Sequence, residues 1–190
     1  IDSGWTPVPG EVAQELLFYF SFDSATGGAV TLRSSPEGSE QLTFDDISAG
    51  KDLVGKLAGT DSPTDHADWS SAFVGWDHPD VSSPESLVRH WTDEIDSAAV
   101  ARGEGDLSSP AVYLSAEGVD HQQLLQKFLT GAVTFSQGAD DYLDDDVEGK
   151  GLLADHTVPD AEGKSHTALE HAWDEGFGYF GSARTYGDMS

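Results

Sequence analysis

The run Gly163-Lys-Ser-His166-Thr-Ala-Leu-Glu170-His171-Ala-Trp173-Asp174-Glu175-Gly-Phe177-Gly-Tyr179-Phe180-Gly181 narrows the choice of fold more than any other stretch of this chain. At about 100° per residue, Leu169, Trp173, Phe177 and Phe180 share one helical arc of about 80°. Ala168, Ala172 and Gly176 form a second stripe, small enough for a neighbouring helix to approach closely. A helix with an aromatic ridge and a small-residue groove belongs at the centre of a helical domain. His166 and Glu170 fall on the aromatic arc or its edge. They are expected as a buried imidazole–carboxylate pair, which needs a partner, a water or a metal.

The remaining periodicity is also helical. Pro9-Gly10 precedes a pattern of Val12, Leu16, Leu17 and Phe20, with Gly27-Gly28 as its stop. Thr43 reads as an N-cap, with Asp45 and Asp46 in the first turn of a helix carrying Ile47, Val54 and Leu57. Ser83-Pro84-Glu85 is a helix start for a face of Leu87, Trp91, Ile95 and Ala98 ending near Gly103. Asp120 opens the longest pattern, in which Leu124, Leu125, Phe128, Ala132, Phe135, Ala139 and Tyr142 make an apolar stripe. Gly131 and Gly138 lie beside it, where close packing is the expected reason for a glycine. The sum is an all-α fold: an antiparallel helical bundle of about five helices with long structured loops. Residues 1–190 are read as a single helical domain. The chain opens at Ile1 and ends at Ser190 without an evident helix stop, so a fragment of a longer protein is expected.

Charge excludes some partners. With 35 Asp and Glu against 9 Lys and Arg, the net charge is −26. Nucleic acid binding needs a basic footprint, and an anionic membrane surface repels such a chain. Cation binding suits it, as does solubility in a salty medium that screens self-repulsion. There is no cysteine, so thiolate metal sites and disulfides are unavailable. The longest apolar run, Leu16 to Phe20, is far short of a membrane span.

Three constellations carry candidate chemistry. The zinc-peptidase motif H-E-x-x-H is absent, and His166 to His171 misses the inverse motif by one residue, which leaves the two rings about 140° apart on a straight helix. What remains is an H-x-x-x-E pair that occurs twice: His166 with Glu170, and His90 with Glu94 beside Trp91. Helical bundles assemble metal sites from such donors, and the same spacing equally describes pairs that satisfy each other. Second, Asp144-Asp-Asp146-Val-Glu148-Gly149 through Asp155 follows the frame of a calcium loop. It departs at the last position, where Asp155 stands for a longer bidentate Glu, and at Pro159, which discourages an exiting helix. Third, a loop with Asp65, His66, Asp68, Trp69, Trp76, Asp77 and His78 holds donors among aromatics, and pinning by tryptophan explains it as well.

The runs Glu170 to Gly181, Lys127 to Leu143 and Asp46 to Lys56 resemble an uncharacterised bacterial domain family whose members look secreted or lipid-anchored, distantly similar to the imelysin group of iron-linked periplasmic proteins. The likeness spans residues 8–188 and is strongest over 120–182. It implies a mostly helical fold, a periplasmic or cell-surface location, and partners among other envelope proteins or further segments of the same chain. Imelysins carry G-x-H-x-x-E, and here Gly163, His166 and Glu170 stand with one extra residue in each interval.

The function expected from these readings is non-enzymatic binding of a metal cation, iron or calcium, within an envelope assembly. The donors are His166, Glu170, His90, Glu94, Asp144, Asp146, Glu148 and Asp155. A metal-dependent hydrolase of imelysin type is the alternative, and a scaffold without a metal site is the third reading.

Overall fold

The computed structural model describes residues 6–18, 20, 21, 40–43, 45–48, 51–57, 73 and 78–181. Among these the fold is helical, with long loops and no β-strand; two isolated antiparallel bridges, Leu114 with Asp120 and Pro159 with Thr167, are the extended pairings. The chain forms two compact units, Ile1–Gly55 with Gly75–Gln126 and Lys56–Val74 with Lys127–Ser190. Gly27, Gly28 and the loop donors Asp65, His66, Asp68, Trp69, Trp76 and Asp77 lie outside the described residues.

The first unit is organised by helices α1 (Glu11–Leu17) and α3 (Pro84–Gly103). The short α2 (Asp45–Ser48) is followed by a separate 3₁₀ turn at Val54–Lys56, so the single helix expected there is two pieces. Asp46 is the local anchor, its carboxylate accepting from the backbone N–H of Leu42 and Thr43 and from the Thr43 hydroxyl. Helix α3 starts where the sequence predicts. The Ser83 hydroxyl accepts from Ser86 N–H and the Ser86 hydroxyl closes the box on Ser83, with Pro84 in the first turn. Its buried face is Leu87, Val88, Trp91, Thr92, Ile95, Asp96 and Ala99. Thr92 is tolerated there because its hydroxyl donates to the Val88 carbonyl at 2.8 Å.

Asp96 is the unexpected member of that face. One carboxylate oxygen accepts from Gly10 N–H at 2.7 Å, and the other from Val12 and Ala13 N–H at 2.9 and 3.1 Å. Gly10 itself offers no side-chain cap to α1. A carboxylate from a distant helix therefore satisfies the donors that every helix start leaves open.

Helix α4 (His121–Val133) opens in the first unit, which holds His121 to Gln126, and in the second unit runs on into a π-helical segment, Thr134–Tyr142. The continuous stripe expected over 120–143 is broken there. A π-helix closes i→i+5 bonds, as Leu143 N–H does to Gly138 O at 3.0 Å, and the wider turn rotates the next residues away from an α-helical register. Ser136, Gln137 and Gly138 are buried in consequence, while Phe135 is 48% exposed. The π segment packs on α5 (Ala168–Phe180) through small residues. A Cβ on Gly138 would stand 3.6 Å from Tyr179 Cβ, and one on Gly176 only 2.8 Å from Leu143. The small-residue stripe thus behaves as expected. Tyr142 and Tyr179 stack at 5.7 Å, and Lys56 lies over the Tyr179 ring while donating to Gln137 Oε1 at 3.0 Å. Burial, then the Glu175 charge, pushes the Tyr142 phenol up.

Candidate functional site

Helix α5 corrects the first expectation. Thr167 is the N-cap: its hydroxyl accepts from Glu170 N–H at 3.2 Å, and Glu170 Oε2 accepts from Thr167 N–H at 2.8 Å. The Glu170 carboxylate is thus an exposed cap, its pKa lowered first by the Thr167 backbone N–H and then by the Thr167 hydroxyl. His166 precedes the helix, so the arc that placed it beside Glu170 does not apply. Its ring instead stacks on His171 at 5.4 Å, a pairing that one continuous helix would forbid. The aromatic arc is exposed, Trp173 at 59%, Phe177 at 40% and Phe180 at 72%; the buried residues are Ala172 and Gly176. Small residues face inward because backbone approach gains contact along the whole helix, whereas a ridge of rings would hold the neighbour away.

The loop from Asp144 to Asp155 does not gather its carboxylates. Gly149, at φ +81°, makes the sharp turn that such a frame needs. Asp144 Oδ1 accepts from the N–H groups of Asp146 and Val147, and Asp155 Oδ1 from the N–H and hydroxyl of Thr157. Those bonds hold Asp155 below its ordinary value, the Thr157 hydroxyl contributing most. Asp146 and Glu148 are exposed. Lys150 Nζ stands 3.2 Å from Oδ1 of the neighbouring Asp141 and 3.9 Å from Asp144 Oδ2. A lysine ammonium there eases the crowding of aspartates at a helix end.

His90 and Glu94 are better placed. They sit one turn apart on α3 and line a pocket of about 380 Å³ together with His78 and His121. Leu87, Trp91, Val119 and Leu124 supply its apolar wall. His78 is held by a turn in which Val81 N–H donates to its carbonyl at 3.2 Å, and its ring lies 3.8 Å from that of His90, tilted by 43°. His121 opens α4, where its N–H donates to Tyr113 O at 2.9 Å. Its side chain is 8% exposed, and Nδ1 has no hydrogen-bond partner. A buried nitrogen without a partner is uncommon and asks for a ligand or a proton acceptor. Among the described residues no three His, Asp or Glu side chains yet stand close enough to enclose a metal ion.

Sequence spacing found two of these four donors as a pair and noted His78 only as a loop residue. It missed His121, because the donors come from a turn, a helix and a second helix start, twelve residues apart at one step and twenty-seven at the other. The one local signal was a histidine directly after the helix-opening Asp120.

Burial lowers the His121 pKa from its ordinary 6.5, a shift that Glu94 opposes and His90 reinforces. The unfolded chain therefore binds this proton more readily than the folded one. Stability from the neutral ring is fully present above pH 6.5 and is lost as pH falls through that value towards the lowered one. Urea denaturation at pH 7.5 and pH 5.5 is expected to show a loss that His121→Leu reduces. An unchanged pH dependence in that variant would mean that the imidazole is not desolvated.

The model of the family described as Domain of unknown function (DUF4856) matches residues 85–189, more than half of the 190. The chain belongs to this family. The DUF4856 match takes in His90, Glu94 and His121 and begins after His78. No curated protein and no solved structure matches the chain.

Proposed function

We propose that this protein is a non-enzymatic binder of a divalent transition metal such as iron, working within a bacterial envelope or surface assembly. The observation that carries the reading is the meeting of His78, His90, His121 and Glu94 at one pocket, with a buried His121 Nδ1 lacking a partner. Three imidazoles and one carboxylate are borderline donors that suit iron, zinc, copper or nickel, whereas calcium prefers an all-oxygen set. His78 and Glu94 are exposed and His90 is half-buried, so an ion would have to draw their side chains together with that of His121. The apolar wall would then limit water and strengthen the electrostatic attraction. The acidic surface, at −26, concentrates cations near the chain. The envelope setting is what the resemblance noted for residues 120–182 implies, and fractionation of the source cells tests it.

Calorimetry with Fe²⁺ under anaerobic conditions, and with Zn²⁺ as a redox-inert probe, is expected to give one site per chain. His90→Ala and His121→Ala should each weaken it at least about tenfold, while Asp155→Asn should leave it unchanged. No binding of either ion would overturn the proposal, and so would binding that survives both histidine substitutions. Calcium bound in place of both ions, and lost in Asp155→Asn, would move the site to the aspartate loop.

A further inference from the structure

A second cavity abuts the histidine pocket in the same unit, and its charges are arranged differently. It measures about 290 Å³ and lies between the C-terminal half of α3 and the loop from Asp106 to Glu117. Glu94 and Glu117 stand at one end, where both also line the histidine pocket, and Arg102 stands two helical turns further along α3. Ala98 and Ala101 supply the helical wall, and Ala111 and Val112 belong to the loop wall. The loop is tied in place. Asp106 N–H donates to Ala101 O at 2.9 Å, and Ser115 Oγ accepts from Glu117 and Val119 N–H, both at 3.2 Å, which fixes the turn that carries Glu117.

Arg102 is one of only 9 Lys and Arg in a chain of net charge −26. Even so, among the described residues no carboxylate stands within ion-pair distance of its guanidinium. Its Nη1 donates to Ser109 O at 3.0 Å, which orients the group and engages one of its five N–H donors. The neighbouring Asp106 carboxylate is held locally, accepting from Ser108 N–H at 2.8 Å. The cavity therefore offers guanidinium donors at one end and two carboxylates at the other. A simple cation would leave the arginine unanswered, and a simple anion would meet Glu94 and Glu117. A ligand with an ammonium and a carboxylate at opposite ends satisfies both. The eight-residue step sets Glu94 and Arg102 about 12 Å apart along the helix axis. Charged contacts of about 3 Å at each end leave about 6 Å for the ligand, the span of two amino-acid residues and too long for one.

We propose that this cavity binds a zwitterionic dipeptide of small residues, its ammonium at Glu94 and Glu117 and its carboxylate at Arg102. Ser97, exposed between the two charged ends, supplies a hydroxyl for the peptide link. The alanines of the wall leave room for methyl-sized side chains. The reading stands apart from metal binding, since no histidine lines this cavity and Arg102 does not line the histidine pocket.

The test is an NMR titration of the whole isotope-labelled chain with alanyl-alanine, with EDTA present throughout so that the result does not depend on whether a metal binds. Saturable amide shifts are expected at Ala98, Ala101 and Glu117. N-acetyl-alanyl-alanine lacks the cation, alanyl-alanine amide lacks the anion, and free alanine is too short to reach both ends. Each should bind at least about tenfold more weakly, because one charged contact is lost. Arg102→Gln should bring alanyl-alanine down to the level of its amide. Glu117→Gln, at an exposed side chain, should weaken it as well and serves as the second variant should loss of the Ser109 contact disturb the loop. The absence of any saturable shift would overturn the proposal, and so would blocked peptides or free alanine binding as tightly as alanyl-alanine. Binding that survives both substitutions would overturn it too.

Discussion

Asp96→Ala is expected to destabilise the first unit by about 3 kcal/mol, because it leaves the N–H groups that open α1 without an acceptor inside the fold. The carboxylate serves three donors at once: Gly10 through one oxygen, Val12 and Ala13 through the other. Water can reach the Gly10 end, yet Ala13 is only 8% exposed and its donor would be stranded. Asp96→Asn provides the sharper comparison. One amide oxygen still serves one side of the cap, while the amide nitrogen confronts a backbone donor on the other, so about 1–2 kcal/mol should go. Urea denaturation followed by the fluorescence of tryptophan, Trp91 being 4% exposed in the same helix as Asp96, measures both variants. An alanine variant within about 0.5 kcal/mol of the parent would mean that α1 is held by its apolar contacts alone.

Gly151→Ala is expected to have an effect of similar size in the second unit. Gly151 has φ +53°, in the left-handed region, where any side chain costs about 1 kcal/mol. Its Cβ would also fall against the backbone of Asp144, 2.7 Å from the nitrogen, and backbone cannot swing aside. The contact lies beside the bond from Leu152 N–H to Asp144 O at 2.8 Å, which ties the loop to the end of the π segment. Together these should cost about 3 kcal/mol or force the loop open. Gly149→Ala is the control: φ is +81° there too, but nothing stands within 4 Å of the added Cβ. Only the conformational part, about 1 kcal/mol, should appear. The difference between the two alanines in denaturant midpoints, together with faster amide exchange at Leu152 in Gly151→Ala alone, reads the close contact. Two equal effects would show that the strain is conformational only.

The boundaries of α3 are local chemistry, and for that reason they were legible. Ser83-Pro84 and the glycine at 103 mark α3 at both ends, and the small stripe of α5 identifies its packing side. The chain's helical character, its long loops and the lack of any apolar helix long enough to cross a membrane among the described residues all follow from composition and periodicity. The two H-x-x-x-E pairs carried identical spacing and met different fates. His90 and Glu94 lie in mid-helix beside a pocket, whereas Thr167 began the other helix one residue too late for His166 and took Glu170 as its cap. A capping hydroxyl competes with side-chain pairing over the same few ångströms, and periodicity does not register that competition.

What the residues alone determined was the start of α3, which stripes are apolar or small, and a strongly acidic net charge. Only the tertiary structure decided which stripe turns inward, where α-helix gives way to π-helix, and which distant groups meet. Asp96 reaches α1, Lys150 stands among the aspartates, and His78 and His121 join His90. The physical reason is range. Capping, propensity and amphipathic period act over about one helical turn, whereas burial and polar satisfaction are settled between segments far apart in the chain, where no spacing rule reaches.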